Sequence, residues 1–343
     1  MAWYNTEINA NPNVIWSRVR YFRNIDGERF NLSLDRKKLT SVISRASELL
    51  QNSGFHLSEE SGDIAYISYA ELGYADYGFI TSDNEKLLYM NEPCSLCVTV
   101  GGKDMFCIQS LLCGMAVEEA FNSAQEAELL LDGVFDYAYS DNIGYISPEI
   151  SHTGHGIEMA VALYLPALSG LDIIKKLIKK ANLCNIDIYP LTVYENNPGC
   201  IYIIHYIPPS FVDLNDAQKK LIDFVNYIIS IEKEYAHNVF GDNNAILNKA
   251  WRACGIMEYS SSCTEEELYK LLSNIRLCHC LECQSSLPYV ISLGSLNRLC
   301  AELSNSYLRL ISKDECDIQS NYDKERAKSL NYYIKSLKSD KGS

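Results

Sequence analysis

Apolar positions along this chain recur at two different periods. Met159 to Leu165 is an uncharged run rich in Val, Leu and Tyr and stopped by Pro166, which reads as a largely buried strand. Strand-like runs also cover Cys94 to Val100, Ile186 to Tyr194 and Cys200 to Ile207, with shorter pieces at Asp63 to Tyr69 and Tyr77 to Ile80. The last two long runs bracket Glu195-Asn-Asn-Pro-Gly199, a strong turn signal. Helical spacing marks Leu34 to Leu50, where Leu39, Val42, Ile43, Ala46, Leu49 and Leu50 share one face. It returns at Met115 to Asp132, Leu171 to Leu183 and Leu214 to Phe240, and from Asn243 the pattern is helical almost to the end. Strands separated by long helices and followed by an all-helical stretch predict an α+β fold of two units, 1–240 and 241–343.

Composition narrows the partners. At 343 residues and 47% hydrophobic content, the chain can bury one sizeable core and a smaller second one. Its net charge of −14 argues against nucleic acid or an anionic membrane as a bulk partner, since both need a cationic face. No apolar run reaches the roughly 18 residues of a membrane span, and the start, Met-Ala-Trp-Tyr-Asn-Thr-Glu, lacks the features of a signal peptide. A cytoplasmic location is therefore expected. The 13 cysteines are scattered, as buried reduced thiols would be. Cys278-His279-Cys280-Leu-Glu-Cys283 sets four soft-metal ligands close together, but no second cysteine pair follows at finger spacing. Buried helix cysteines are the expected reading there, with a metal site the open alternative.

Three stretches carry candidate chemistry. Arg18 and Arg20 stand two apart on an extended segment, which points both guanidinium groups to one side and suits an oxyanion such as phosphate. Gly154 and Gly156 lead into the Met159 strand and permit positive φ and close approach of a ligand. His152 and His155 lie in the same loop without neighbouring Cys or paired carboxylates, and read as loop residues. The lysines at 175, 176, 179 and 180 read as a solvated helix face.

The stretch from Gly144 to Leu168 resembles the signature region of the phosphagen (guanidino) kinase superfamily, most of all its bacterial protein-arginine kinase branch. There the pattern runs Gly-Tyr-Leu-Thr-x-Cys-Pro-Thr-Asn-x-Gly-Thr-Gly-Leu-Arg-Ala-Ser-Val and on to Leu-Pro-Ala-Leu; Gly144, Tyr145, Gly154, Gly156, Val161 and Leu165 to Leu168 agree with it. A second segment resembles the family's Ser-Ser-Arg-x-Arg-x-x-Arg-Asn through Ser17, Arg18, Arg20, Arg23 and Asn24, with Trp16 in place of the first Ser. A third, Tyr322-Asp323-Lys-Glu-Arg326-Ala327, resembles the Arg-Asp-x-x-Arg-Ala pocket for phosphoarginine. The resemblance implies a mixed antiparallel sheet flanked by helices, then a small helical domain used for dimerisation. It makes Arg18, Arg20 and Arg23 a remnant of the ATP-phosphate set, and Asp323 and Arg326 a remnant of the phosphoarginine pocket.

The same resemblance shows what has changed. Glu149 stands for the family's cysteine and Glu158 for an ATP-binding arginine. Where the family has Asn-Glu-Glu-Asp-His-x-Arg-Ile, with glutamates that hold the guanidinium, this chain has Gly102 and Lys103 for the carboxylates and Cys107 for the arginine. Asp104, Ile108 and the following Gln109 match, and the later nucleotide arginine has no counterpart between Ile186 and Tyr194. At about 5 Å and an effective dielectric near 20, each reversed charge costs on the order of 3 kcal/mol. The expectation is a protein-arginine-kinase-like pseudokinase with no assigned catalytic residue. It would act by binding itself, an active arginine kinase or phosphoarginine-bearing proteins, with ATP and Mg²⁺ as ligands only if some nucleotide binding survives. The alternative is an active phosphotransferase whose acidic residues Asp104, Glu149, Glu158 and Glu195 form a rearranged site able to hold Mg²⁺.

Overall fold

The longest strand is also the one with the most charge. β1 (Val14–Arg23) is buried along its whole length although it carries three arginines. The computed structural model describes residues 4, 11–28, 30, 36–57, 87–91, 95–171, 173–192, 194–241, 243–305, 307–308 and 319–339. The expected strand pieces at Asp63 to Tyr69 and Tyr77 to Ile80 lie outside these residues.

β1 is followed by α1 (Arg36–Asn52), β2 (His56–Leu57), β3 (Leu87–Met90), β4 (Leu96–Val100), β5 (Phe106–Cys113) and α2 (Val117–Asp132). A small hairpin, β6 (Tyr139–Ser140) with β7 (Gly144–Tyr145), leads to β8 (Ile157–Tyr164), α3 (Pro166–Gly170), α4 (Ile174–Asn182), β9 (Ile186–Pro190), β10 (Ile201–Tyr206) and α5 (Leu214–Val239). The remaining described elements are helices: α6 (Asn243–Tyr259), α7 (Glu265–Cys280), α8 (Leu293–Glu302) and α9 (Gln319–Ser339). Eight strands form one sheet in the order β2-β3-β4-β5-β1-β8-β10-β9, and every neighbouring pair runs antiparallel. The expected sheet flanked by helices and followed by a helical region is present. The helix expected over Leu171 to Leu183 instead begins at Ile174, because Pro166 starts a separate short helix directly after β8.

Side-chain alternation gives the sheet two unlike faces. Val19 and Tyr21 of β1, Ile108 of β5, Met159, Val161 and Leu163 of β8, and Ile204 of β10 pack against α1, α2, α4 and α5. Residues of opposite parity, among them Trp16, Leu111, Ala160, Ala162, Tyr164, Ile201 and Ile203, form a second core with Ile246, Leu272, Ile275, Leu296 and Leu330 of the C-terminal helices. That second face changes along the strands. It is apolar where the C-terminal helices cover it, and further along the same strands it becomes Arg20, Gln109, Glu158 and His205.

The Leu165 to Leu168 segment shows how the sheet hands over to its helices. Pro166 opens α3 and needs no hydrogen-bond partner, but the N–H groups of Ala167 and Leu168 do. Both donate to the buried Glu232 of α5, at 2.9 and 3.0 Å. The Leu-Pro-Ala-Leu run is thus a capping device that pins α5 beneath the end of β8. Glu232→Ala leaves two buried donors unsatisfied and should lower the unfolding free energy by about 2–4 kcal/mol. In urea unfolding this appears as a lower midpoint at unchanged slope; an unchanged midpoint would show that the cap carries no stability.

Candidate functional site

Parity on β1 decides which arginines share a site. Arg18 and Arg20 lie on the face of Trp16 and Phe22, as their spacing predicts, but Arg23 is three residues on and faces the opposite side of the sheet. The three expected phosphate ligands are therefore split two to one. Arg18 sits over the Trp16 ring, its guanidinium 5.4 Å from the centroid. Arg20 is completely buried; its Nε donates to Gln109 Oε1 at 2.6 Å, and its Nη1 lies 3.5 Å from Glu158 Oε2. Register explains the grouping, since Arg20 stands opposite Gln109 on β5 and opposite Glu158 on β8.

Glu158 is the centre of this polar patch. Only 7% exposed, it has His152 Nε2 and His205 Nε2 each 3.6 Å from Oε1 and Arg20 on Oε2. His152 is fixed from behind: its Nδ1 is 2.7 Å from Asp104 Oδ2, and its ring stacks on Phe22 at 3.6 Å and 4°. Asp104 is itself held by Asn24 Nδ2 at 2.7 Å and Ser147 Oγ at 2.6 Å. The result is a buried chain, Asp104–His152–Glu158, with Arg20 and His205 at its far end.

Charge in this chain is mutually dependent. Burial pushes the His152 imidazole down, but its hydrogen bonds to Asp104 and Glu158 outweigh that, and its pKa lies above the ordinary 6.5. For Glu158, burial raises the carboxyl, while hydrogen bonds from the two histidines and the Arg20 charge hold it well below the ordinary 4.5. A protonated His152 donating to two carboxylates is the consistent state. Cys107, at the position of a family arginine, is simply buried, and burial pushes its thiol far up, so it supplies no charge.

The glycine loop proves to serve the backbone. Gly144, Gly154 and Gly156 all have positive φ. A Cβ on Gly144 would collide with the Gly154 carbonyl, to which Tyr145 also bonds at 2.8 Å. One on Gly156 would lie 2.7 Å from Arg23 Nη1 and 2.8 Å from the Phe22 carbonyl oxygen. Arg23 fills that space. Its Nε donates to Glu128 at 2.7 Å, its Nη1 donates to the carbonyls of Phe22, His155 and Gly156, and the guanidinium lies 3.5 Å from the centroid of Tyr145. It binds β1 to α2 and to the loop.

The remaining candidates are dispersed. Lys103 pairs with Glu149, so the base at a carboxylate position is answered by the acid at the cysteine position. Glu195 lies exposed on its turn, away from the Asp104 and Glu158 pair. In the helical region Arg326 is fully buried and donates to Leu303 O and Cys263 O at 2.7 Å, to Asp323 Oδ1 at 2.9 Å and to Asn305 Oδ1 at 2.5 Å. Among the described residues no group of three or more His, Cys, Asp or Glu side chains is arranged to hold a metal ion. No described helix is long and apolar enough to cross a membrane. Sequence reasoning missed His152, His205 and Gln109 as members of the site. The available signal was Glu158 itself, since a carboxylate inside an apolar strand needs buried cationic or donor partners on neighbouring strands.

An eight-stranded antiparallel sheet of this order, polar at one end and backed by helices, is the guanidino kinase fold. The chain resembles the lombricine kinase structure with a TM-score of 0.53 and 17% identity, covering 67% of this chain and 68% of that one. It also resembles the duplicated taurocyamine kinase from Schistosoma mansoni with bound transition-state analogue components, with a TM-score of 0.59 and 16% identity over 77% of this chain and only 40% of that one. Residues 65–235 match the family ATP:guanido phosphotransferase, C-terminal catalytic domain, and residues 243–343 match the protein-arginine kinase McsB C-terminal domain. The protein-arginine kinase of Clostridium perfringens is 24% identical over 319 residues, which is 90% of this chain and 93% of that protein; that of Clostridium acetobutylicum is 23% identical over 335 residues, 95% and 94% of the two chains. The chain belongs to the ATP:guanido phosphotransferase superfamily, in its bacterial protein-arginine kinase branch.

The charge network has a pH signature. Because the folded pKa of His152 is raised, its stabilising contribution is complete below the ordinary 6.5 and is lost as pH rises through the folded value. Glu158, held low, contributes above the ordinary 4.5 and loses that contribution only as pH falls through its folded value. The stability gap between the native chain and His152→Gln should therefore narrow as pH rises from about 6 to 9. Urea titrations at stepped pH measure it, and a gap constant across that window would show that folding does not raise the His152 pKa.

Proposed function

We propose that this chain is a catalytically impaired relative of the protein-arginine kinases that works by binding in the cytoplasm rather than by transfer from ATP. The observation that carries this reading is Glu158, a buried carboxylate 3.5 Å from Arg20 on the sheet face where the family resemblance puts an ATP-binding arginine. Phosphoryl transfer depends on cations that spread over a triphosphate and its transition state. Here one position of that set is negative, one is a neutral thiol, Arg20 is answered by Glu158, and Arg23 lies on the other side of the sheet. A like charge about 5 Å from a phosphate costs on the order of 3 kcal/mol at an effective dielectric of 20, roughly two powers of ten in affinity for each reversal.

The partner is a second copy of this chain or an intact arginine kinase, engaged through the helical region that matches the arginine-kinase C-terminal domain. Capture of phosphoarginine-bearing proteins has less support, because every nitrogen of Arg326 already donates within the fold. Nucleotide and Mg²⁺ are not required for this role. A thermal-shift titration with MgATP checks it: at millimolar nucleotide the expected change is under about 1 °C. A rise of several degrees, together with label transfer from ATP to protein arginine that disappears in Arg18→Ala, would overturn the proposal.

A further inference from the structure

The cysteine-rich end of α7 carries a chemistry that the sheet site does not use. The helix closes with Glu282 in the left-handed region at φ 55°, and the N–H of Cys283 donates back to the Cys278 carbonyl at 2.9 Å. This six-to-one bond is a Schellman closure, which brings the side chains of its first and last residues into contact. Here both are thiols. The closure sets the Cys283 side chain beside that of Cys278, whose Sγ reaches the Asn274 carbonyl at 3.8 Å. Cys278 is fully buried among the C-terminal helices, while Cys283 is half-exposed.

Cys280 is nearer to Cys283 along the chain. In the fold Cys280 instead turns toward Arg276 and Tyr164, beneath the sheet. His279 points Nε2 at the Ile291 carbonyl, 2.8 Å away, and among the described residues no group of three or more His, Cys, Asp or Glu side chains is arranged to hold a metal ion. What remains is a pair of cysteines, one partly buried and one fully buried, joined by a backbone turn that already holds them together.

We propose that Cys278 and Cys283 are a redox modification site that closes to a disulfide when the protein meets a peroxide. The half-exposed Cys283 attacks the O–O bond of hydrogen peroxide, forming a sulfenic acid and releasing one water. The Cys278 sulfur then displaces the hydroxyl from the Cys283 sulfur, its own proton leaving with that hydroxyl as a second water. Two thiols and one peroxide become one disulfide and two waters, with both electrons taken from sulfur. Closure fixes the end of α7 and the short turn Gln284–Ser286, whose Ser286 carbonyl accepts from Trp251 Nε1 at 2.9 Å. The modification therefore reaches an exposed tryptophan on α6.

The test treats the full-length folded protein with hydrogen peroxide, alkylates the remaining thiols, and maps the peptides by mass spectrometry. The expected product is a Cys278–Cys283 bridge, lighter by two hydrogens, reversed by dithiothreitol and absent in Cys283→Ser. Circular dichroism of that variant checks that it is folded, Cys283 being only partly buried at the edge of the C-terminal core. Recovery of Cys283 as sulfinic or sulfonic acid with Cys278 still a thiol overturns the assignment. So does a bridge from either residue to Cys254 or Cys280. So, too, does full recovery of both thiols at a dose that oxidises the half-exposed Cys184.

Discussion

A carboxylate in a protein interior stays ionised only when cations and hydrogen-bond donors surround it, and in this chain that requirement falls on Glu158. Arg20, His152 and His205 meet it. Each of those partners then needs its own support, which Gln109 gives to Arg20 and Asp104 gives to His152. Asp104 in turn draws in Asn24 and Ser147, so the ends of β1, β5 and β8 and the loop before β8 are tied through one set of polar contacts. The architecture of the polar end of the sheet follows from a single acid placed on a central strand.

Much of the fold was legible because its signals are local. The Met159 run, the helices at Leu34, Met115 and Leu214, and the turn at Glu195 all depend on periodicity or on Gly and Pro, which act within a few residues. The pairing of Arg18 with Arg20 was legible for the same reason, because two-residue alternation is a property of any extended segment. Arg23 was grouped with them through motif resemblance, and the parity of the strand sends it elsewhere. The Glu158 network was not legible. His152 and His205 lie 53 residues apart in the sequence, and they meet only because β10 pairs with β8 and the loop folds over Phe22.

Motif agreement also measured two different things. Gly156 and Arg23 agree with the kinase pattern because one vacates the space that the other fills, and Leu165 to Leu168 agree because they cap a helix onto Glu232. These residues report that the scaffold is intact. Glu158, Lys103, Glu149 and Cys107 depart from the pattern at the places where charge meets ligand. Two of the departures answer one another, Lys103 with Glu149, so these two changes of charge compensate locally.

The burial of Glu158 also makes its position hard to exchange. Replacing it alone by the arginine of the kinase pattern would set a new cation against Arg20 and a protonated His152 on a face with little access to water, at a cost on the order of 3 kcal/mol for each like-charge contact at about 5 Å. Arginine at this position is therefore disfavoured as a single substitution. The acid and its partners are exchangeable only as a set.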